Sequence, residues 1–314
     1  MPQKVIIVAD PGIDTAFAIA LALLEPKLDV LALAATAGNV GAQQATMNVY
    51  TIVSQLDPSR YPRIGAAPLV EYGVDGTRLH GADGLGNGNF PSISLHAPHS
   101  SDRLIVELVR KEPKEITIVC LGPLTVMAGA LSRDPAIVPL IDRIICLGGA
   151  WKESGNISAA AEFHFYCDPV SARKVLHCGA HTTLLPLDVT RKLMFSPTDL
   201  LELPAPESKT SQFLRKIVPF GIRASSNLYG AEGFHLKDVL GIAALVLPKA
   251  ITTQRFYVDV EAHGELTRGA SVVDARPNPS SPPNVDLATG VDVVAVRDYI
   301  VQTLTRGDTG ESAI

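Results

Sequence analysis

Short apolar runs alternate with amphipathic helical patterns along most of this 314-residue chain, and that alternation constrains the fold more than any other feature. The runs are continuously apolar, as expected for strands buried on both faces of a parallel sheet. We therefore predict an α/β fold: a single large domain, residues 1–314, with a mostly parallel central sheet covered by helices on both faces. The predicted strands are 4–8, 30–36, 116–121, 143–147 and 182–187, and the predicted helices are 14–24, 42–56, 101–110, 124–131 and 169–176.

Two stretches break the alternation. Residues 70–99 are rich in Gly, Asn and Pro, and residues 277–284 contain four prolines, so both are predicted loops. Near the end, residues 256–263 and 267–274 flank a short turn and predict a β-hairpin. Residues 291–304 predict a closing amphipathic helix.

Composition excludes several classes of protein. Apolar residues make up 46%, enough for a large core, and 27 basic against 32 acidic residues give a net charge of −5, which argues against binding nucleic-acid phosphates. The longest apolar run, 16–24, is too short to span a membrane and has no basic region before it. Four cysteines without a CxxC pair indicate reduced thiols. We predict a cytoplasmic protein with a small-molecule partner, and no nucleic-acid or membrane partner.

Small and polar residues follow the predicted strands. Asp10 and Asp14 follow the first, Asn39 the second, and Gly122 and Asp188 two later ones. Because ligands of parallel α/β sheets bind at the carboxyl ends of the strands, we expect these loops to form a polar crater. No strand is followed by G-x-G-x-x-G and no P-loop lysine motif occurs, which excludes NAD, FAD and NTP sites of those kinds.

Each of these crater residues has two possible roles. Asp10 and Asp14 could ligate a hard cation and take a proton from water, or they could cap the turn and the helix that follow. A histidine such as His80 or His235 could be catalytic or an ordinary hydrogen-bonding residue. Asn156 and other loop residues could bind sugar hydroxyls or form a polar loop.

Several short motifs in order carry a family resemblance. The chain resembles the inosine-uridine-preferring nucleoside hydrolase family from about residue 4 to residue 304. The family opens with Asp-x-Asp-Pro-Gly-x-Asp-Asp after its first strand, where this chain has residues 8–15, Val-Ala-Asp-Pro-Gly-Ile-Asp-Thr. Further matches lie at residues 38–40, 80–81, 83–86, 121–125, 148–150, 155–156, 161–163, 168–169, 187–190 and 267–269.

The resemblance implies a nucleoside hydrolase-like fold and hydrolysis of the N-glycosidic bond of ribonucleosides to free base and ribose, a reaction of nucleoside salvage. It also implies a Ca²⁺ ion and assembly as a homodimer or homotetramer. Asp10 would be the general base. By position, the resemblance implies that the metal is held by Asp10, Asp238, Thr15 and the carbonyl of Thr125. The ribose would contact Asp14, Asn39, Asn156, Glu162, His164 and Asp238. The leaving base would face His80, Tyr229, His235 and Lys237.

Four positions depart from the family pattern. Val8 replaces the first Asp of the signature, Thr15 replaces a metal-ligating Asp, His164 replaces a ribose-binding Asn, and Lys237 replaces the His that faces the leaving base. A neutral hydroxyl at position 15 predicts weaker Ca²⁺ binding, a different ligand set or no metal. The interpretations are an active hydrolase with an altered metal site, a metal-independent hydrolase, and a catalytically impaired or non-catalytic ribosyl-binding homologue.

Overall fold

The computed structural model describes residues 1–91, 99–203 and 208–309. Its strands are β1 (Gln3–Ala9), β2 (Leu28–Ala35), β3 (Arg63–Gly65), β4 (Ile116–Cys120), β5 (Arg143–Leu147), β6 (Thr182–Leu185), β7 (Met194–Phe195), β8 (Phe234–His235), β9 (Ile251–Val260), β10 (Ser271–Asp274) and β11 (Val285–Val291). Its helices are α1 (Ile13–Leu24), α2 (Ala42–Leu56), α3 (Thr77–His80), α4 (Ser101–Lys111), α5 (Thr125–Arg133), α6 (Phe163–Cys167), α7 (Pro169–Leu176), α8 (Leu187–Thr190), α9 (Pro197–Glu202), α10 (Lys209–Tyr229), α11 (Val239–Val246) and α12 (Val293–Thr309), with 3-10 turns at Pro135–Leu140 and Pro248–Ala250.

Nine strands form one sheet in the order β10-β9-β11-β6-β5-β4-β1-β2-β3. The strands from β11 to β3 run parallel, and β9 and β10 add an antiparallel hairpin at one edge. Strand β1 lies between β2 and β4, so the chain order reverses beside it. In open parallel sheets such a switch point opens a crevice at the carboxyl ends of the strands. The loop after β1 therefore begins in that crevice.

Helices cover both faces of the sheet. On β1, Val5 and Ile7 face one core, which α1, α2, α10, α11 and α12 complete. Ile6 and Val8 face the other core, with α4, α5 and α7. All four side chains are fully buried, and burying a side chain of this size stabilises a protein by about 1.5–3 kcal/mol relative to its exposed state. The predicted α/β class and its mostly parallel, doubly covered sheet are confirmed, whereas the domain bounds 1–314 stay a prediction.

Most predicted elements are present within a residue or two of their expected ends. The predicted hairpin corresponds to β9 and β10, whose residues pair in antiparallel register. The predicted strand 182–187 ends earlier, at Leu185, because Pro186 cannot donate to the ladder and instead begins α8. The predicted helix 291–304 starts at Val293, since the residues before it belong to β11.

Several elements were not predicted, among them β11, the short helix α3 inside the predicted loop 70–99, and the 21-residue helix α10. Residues 92–98 of that loop lie outside the described ranges. Helix α10 begins after Ser208, whose side chain accepts the backbone N–H of Ser211, and it ends at Gly230 in the left-handed conformation. Its apolar residues Phe213, Leu214, Ile217 and Val218 do follow a helical spacing, although Pro219 lies inside the helix.

The four cysteines are free thiols, and Cys120, Cys146 and Cys167 are buried. Burial raises the pKa of the Cys146 thiol to about 12, so it is not a nucleophile at neutral pH. None of the helices in the described ranges combines the length and apolarity that crossing a bilayer requires.

Candidate active site

Asp10 follows the last residue of β1 and lies fully buried in the crevice. Asn39, from the loop after β2, donates its backbone N–H to Asp10 Oδ2 at 3.2 Å and its side-chain amide to the Asp10 carbonyl at 2.9 Å. A Cβ at Gly38 would overlap Asp10 Oδ2, and one at Gly122, after β4, would lie 2.7 Å from Oδ1. Glycines in the two neighbouring loops therefore leave just enough room for this carboxylate.

Two further aspartates lie near Asp10 and are also buried: Asp14 in the first turn of α1 and Asp238 at the start of α11. Thr15 joins them, since its hydroxyl donates to Asp238 Oδ2 at 2.6 Å and lies 3.4 Å from the Asp10 carbonyl. We call Asp10, Asp14, Thr15 and Asp238 the carboxylate floor. Burial raises the pKa of Asp10 and Asp238, and the neighbouring aspartates raise both further. The floor therefore favours positive charge or protons.

One positive charge is supplied by His164, in α6. Its Nε2 lies 3.5 Å from Asp10 Oδ2, and its Nδ1 lies 3.6 Å from Glu162 Oε1. Burial lowers the pKa of the imidazole, but Glu162 and Asp10 outweigh burial and raise it to about 10. Glu162 Oε2 is held by the backbone N–H groups of Gly149 and Phe165, each at 3.2 Å. His164 is thus an imidazolium that bridges two carboxylates.

His80, the last residue of α3, has the opposite character. Its Nδ1 accepts the backbone N–H of Ile13 at 3.0 Å and lies 3.9 Å from Asp14 Oδ1. Burial lowers the pKa of His80 to about 4, so the ring is neutral at pH 7. With Nδ1 accepting, the ring proton sits on Nε2, and Phe234 packs edge-on against the ring at 5.8 Å between centroids. His80 is a neutral hydrogen-bond donor that helps to fix the loop before α1.

A cavity of about 340 Å³ adjoins the carboxylate floor, and we call it the Lys237 pocket. The side chains that matter for its chemistry are Asp14, Asn156, Arg191, Tyr229, His235 and Lys237. Tyr229 ends α10, and His235 lies in β8, which pairs with β7. Burial, Lys237 and Arg191 lower the pKa of His235, so this ring is neutral as well. The pocket thus contains two cationic side chains and neutral donors, and Asp14 belongs to the adjoining floor.

The remaining predicted residues lie around these groups. Asn156 Oδ1 accepts the backbone N–H of Phe163 at 2.8 Å, which ties the loop before α6 to the pocket. Thr125 begins α5, directly after the loop that packs on Asp10, and its hydroxyl donates to Asp168 Oδ2 at 2.6 Å. The Thr125 hydroxyl is therefore engaged within the chain.

Comparison with known proteins identifies the family. The model of the inosine-uridine preferring nucleoside hydrolase family matches residues 5–298. The chain belongs to this family. Uridine nucleosidase 1 of Arabidopsis thaliana is 33% identical over 97% of this chain and 94% of its own.

Solved nucleoside hydrolases share the fold. A plant nucleoside hydrolase superposes with a TM-score of 0.90 at 31% identity, covering 97% of this chain and 99% of its own. A purine-preferring ribonucleoside hydrolase from Gardnerella vaginalis superposes with a TM-score of 0.91 at 26% identity, covering 98% and 100%. These relatives are named for different bases, so membership of the nucleoside hydrolase family does not assign a base to this chain.

The structure brings the predicted residues into two adjoining groups. The floor, Asn39, Glu162 and His164 form one, and Asn156, Tyr229, His235 and Lys237 line the pocket beside it. Five residues of the pocket lining were not among the predicted site residues: Leu79, Gly155, Arg191, Ser225 and Phe234. The signal for Arg191 was its place just beyond a predicted strand, whereas Ser225 lies in the unpredicted helix α10.

Proposed function

We propose that the protein hydrolyses the N-glycosidic bond of a ribonucleoside, releasing free base and ribose. The observation that carries the proposal is the Asp10 carboxylate, which is buried at the switch point of the sheet and accepts the backbone N–H of Asn39, while the Asn39 side-chain amide holds the Asp10 carbonyl. A fixed carboxylate of raised pKa is suited to take a proton from water near neutral pH. Membership of the nucleoside hydrolase family supports the same reaction.

The other residues of the site suit an oxocarbenium-like transition state. Positive charge that develops on the sugar is stabilised by fixed carboxylates, and Asp14 and Glu162 supply them on the ribose side. Asn156 and His164 would complete the ribose contacts, together with Asn39 and Asp238. The departing base would lie in the Lys237 pocket, where Tyr229, His235 and Lys237 face it and His80 supports the adjoining loop.

The donor chemistry of the floor fits a hard divalent cation. Asp10 Oδ1 is buried without a hydrogen-bond partner among the described residues, and the buried carboxylates outnumber the one imidazolium beside them. Asp10 and Asp238 would hold a Ca²⁺ ion, with the Thr15 hydroxyl and the Thr125 carbonyl as neutral ligands. Over the described ranges no three His, Cys, Asp or Glu side chains converge as a metal site, so the ion would rest on few charged ligands. When bound, such an ion supplies positive charge that acidifies water.

A second candidate function is ribosyl binding without catalysis. It is favoured by the imidazolium of His164, which lies 3.5 Å from Asp10 Oδ2 and competes with water for the proposed base. The neutral Thr15 also reduces the charge available to a metal ion.

The deciding experiment measures release of p-nitrophenol from p-nitrophenyl β-D-ribofuranoside, and of ribose from uridine and inosine, by EDTA-treated protein titrated with Ca²⁺. We expect release that rises with Ca²⁺, and a loss of about 10³-fold in kcat for Asp10→Asn. Asp142→Asn, an exposed residue at the opposite end of the sheet, is the control and should leave kcat unchanged.

The other outcomes separate the alternatives. Release that is independent of Ca²⁺ would support a metal-independent hydrolase. No release at any Ca²⁺ concentration, together with calorimetric binding of ribose, would contradict hydrolysis and favour the binding protein. The melting temperature measured with and without Ca²⁺ reports metal binding separately from activity, because a ligand of the folded state raises it. The oligomeric state and the cytoplasmic location remain predictions.

A further inference from the structure

The Lys237 pocket carries a charge that the proposed hydrolysis does not explain. Lys237 is half-buried, and within the described ranges its ammonium forms no ion pair or hydrogen bond with the chain. Its positive charge nevertheless reaches the pocket interior, since Lys237 contributes to lowering the pKa of His80 and of His235. An unpaired, partly desolvated cation is costly unless a ligand supplies the opposite charge.

Arg191 adds a second cation to the same cavity. Its guanidinium donates to the carbonyl of Gly155 at 2.9 Å and lies 3.4 Å from Glu153, so its position is fixed. Glu153 partly offsets the charge of Arg191, but no carboxylate in the described part of the chain pairs with Lys237. Asp14 also lines the cavity, although it belongs to the carboxylate floor and lies 3.9 Å from the His80 ring. The pocket therefore holds two cationic side chains, and within the described ranges Lys237 has no counter-charge.

We infer that the pocket selects ribosyl compounds whose leaving group carries a negative charge, such as a carboxylate on a heterocyclic base, with Lys237 as the specificity-determining residue. This inference rests on the proposed function, because it places the ribose over the carboxylate floor. The volume of about 340 Å³ accommodates a single substituted ring. Tyr229 and Phe234 offer aromatic surface to that ring, and Lys237 pairs with its anionic substituent.

Two other roles make different predictions. If Lys237 protonated the leaving base, its removal would slow neutral and anionic substrates equally. If the anion belonged to the sugar, as in a nucleoside 5′-phosphate, removal of Lys237 would weaken phosphate binding instead of carboxylate binding. Two nucleosides whose bases differ only in charge, together with a nucleoside 5′-phosphate, therefore distinguish the three roles of Lys237.

The test compares uridine-5-carboxylate with uridine-5-carboxamide, which are nearly isosteric and differ in charge. We expect kcat/KM for the carboxylate to exceed that for the amide, and Lys237→Met to reduce this ratio by about tenfold, the size of a charge-assisted hydrogen bond. Lys237→Arg should retain the ratio. Lys192→Met removes an exposed lysine beside Arg191 and should leave it unchanged.

Calorimetric titration of both compounds, and of uridine 5′-monophosphate, into Asp10→Asn keeps the inference testable even without turnover. We expect Lys237→Met in that background to weaken carboxylate binding about tenfold and to spare the amide and the phosphate. An unchanged carboxylate-to-amide ratio, or a loss confined to the phosphate, would overturn the inference. Failure of the proposed function is a distinct result: wild type would release no ribose from uridine, while the charge preference in binding persisted.

Discussion

The carboxylate floor and the Lys237 pocket adjoin each other but are built differently. Asp10 and Asp238 of the floor are 0% and 2% exposed, whereas Tyr229 at the pocket is 62% exposed. The floor is held by backbone groups from loops after three adjacent parallel strands, β1, β2 and β4. The pocket is formed by the end of α10, the small β7–β8 sheet and the loop after α8.

The difference shows where rigidity is needed. The proposed bond cleavage requires a base and charges held in place before the substrate arrives, and the floor would provide them at the switch point of the sheet. Discrimination between bases needs only a few side chains of the Lys237 pocket, and these residues can be substituted without disturbing the sheet. The family resemblance does not follow this division, since Asp10 and Asn39 match the nucleoside hydrolase pattern, whereas Thr15 in the floor and Lys237 in the pocket both depart from it. Substitutions in each region test whether the carboxylate floor and the Lys237 pocket act independently.

The largest effect should come from pH acting on His80, which lies between the two regions. Because burial lowers its pKa to about 4, the neutral ring contributes stability above pH 6.5 that is lost as the pH falls through 4. A shift of this size corresponds to about 3 kcal/mol in the free energy of unfolding. Asp10 and Asp238 act with the opposite sign, because their pKa values are raised.

The difference between wild type and His80→Asn isolates this contribution, since the Asn oxygen can still accept the N–H of Ile13. Urea unfolding from pH 7 to pH 4 should show the wild type losing stability relative to the variant. His181→Asn, at an exposed histidine that pairs with Asp286, is the control and should follow the wild-type curve. Parallel curves for wild type and His80→Asn would mean that the loop before α1 does not depend on a neutral ring.

The second effect concerns the tight packing of the floor. In Gly38→Ala the new methyl group would overlap Asp10 Oδ2, so Asp10 must move or the loop must shift. We expect a loss of about 1–3 kcal/mol in the free energy of unfolding and a fall in kcat, because the carboxylate of the proposed base would lose the hydrogen bond from the Asn39 backbone N–H. Gly41→Ala is the matched control, since nothing lies within 4 Å of its Cβ position. Equal stability and kcat for the two variants would show that the floor tolerates movement of Asp10.

The sequence predicted the floor better than the pocket for a physical reason. Asp10, Asp14 and Asn39 lie within a few residues of strands whose apolar runs are easy to recognise, and parallel strands bring their carboxyl ends together. Ser225 and Tyr229 depend on α10, which was not predicted: its buried Phe213, Leu214, Ile217 and Val218 follow a helical spacing, but Pro219 lies inside the helix. The pocket residues were named from family resemblance, because their convergence depends on the path of α10 and the β7–β8 pairing.

The bridging role of His164 was not predictable either. A sequence shows that a histidine stands two residues after Glu162, but not that its two ring nitrogens face different carboxylates. That geometry arises because α6 begins at Glu162, whose own side chain caps the helix through the N–H of Phe165. The charge state follows from the burial of all three groups together.

The smallest effect should come from Tyr229, and it tests the separation of the two regions most directly. Its ring lines the pocket but is mostly exposed, so Tyr229→Ala should raise KM for uridine about three- to tenfold through lost contact with the base. Because the ring touches none of the floor residues that orient Asp10, kcat should stay within about twofold of wild type. Tyr61→Ala, at a similarly exposed tyrosine that bonds Asp57, should change neither constant. A fall in kcat as large as the rise in KM would mean that the rim positions the bond to be broken, and the floor and the pocket would then be one functional unit.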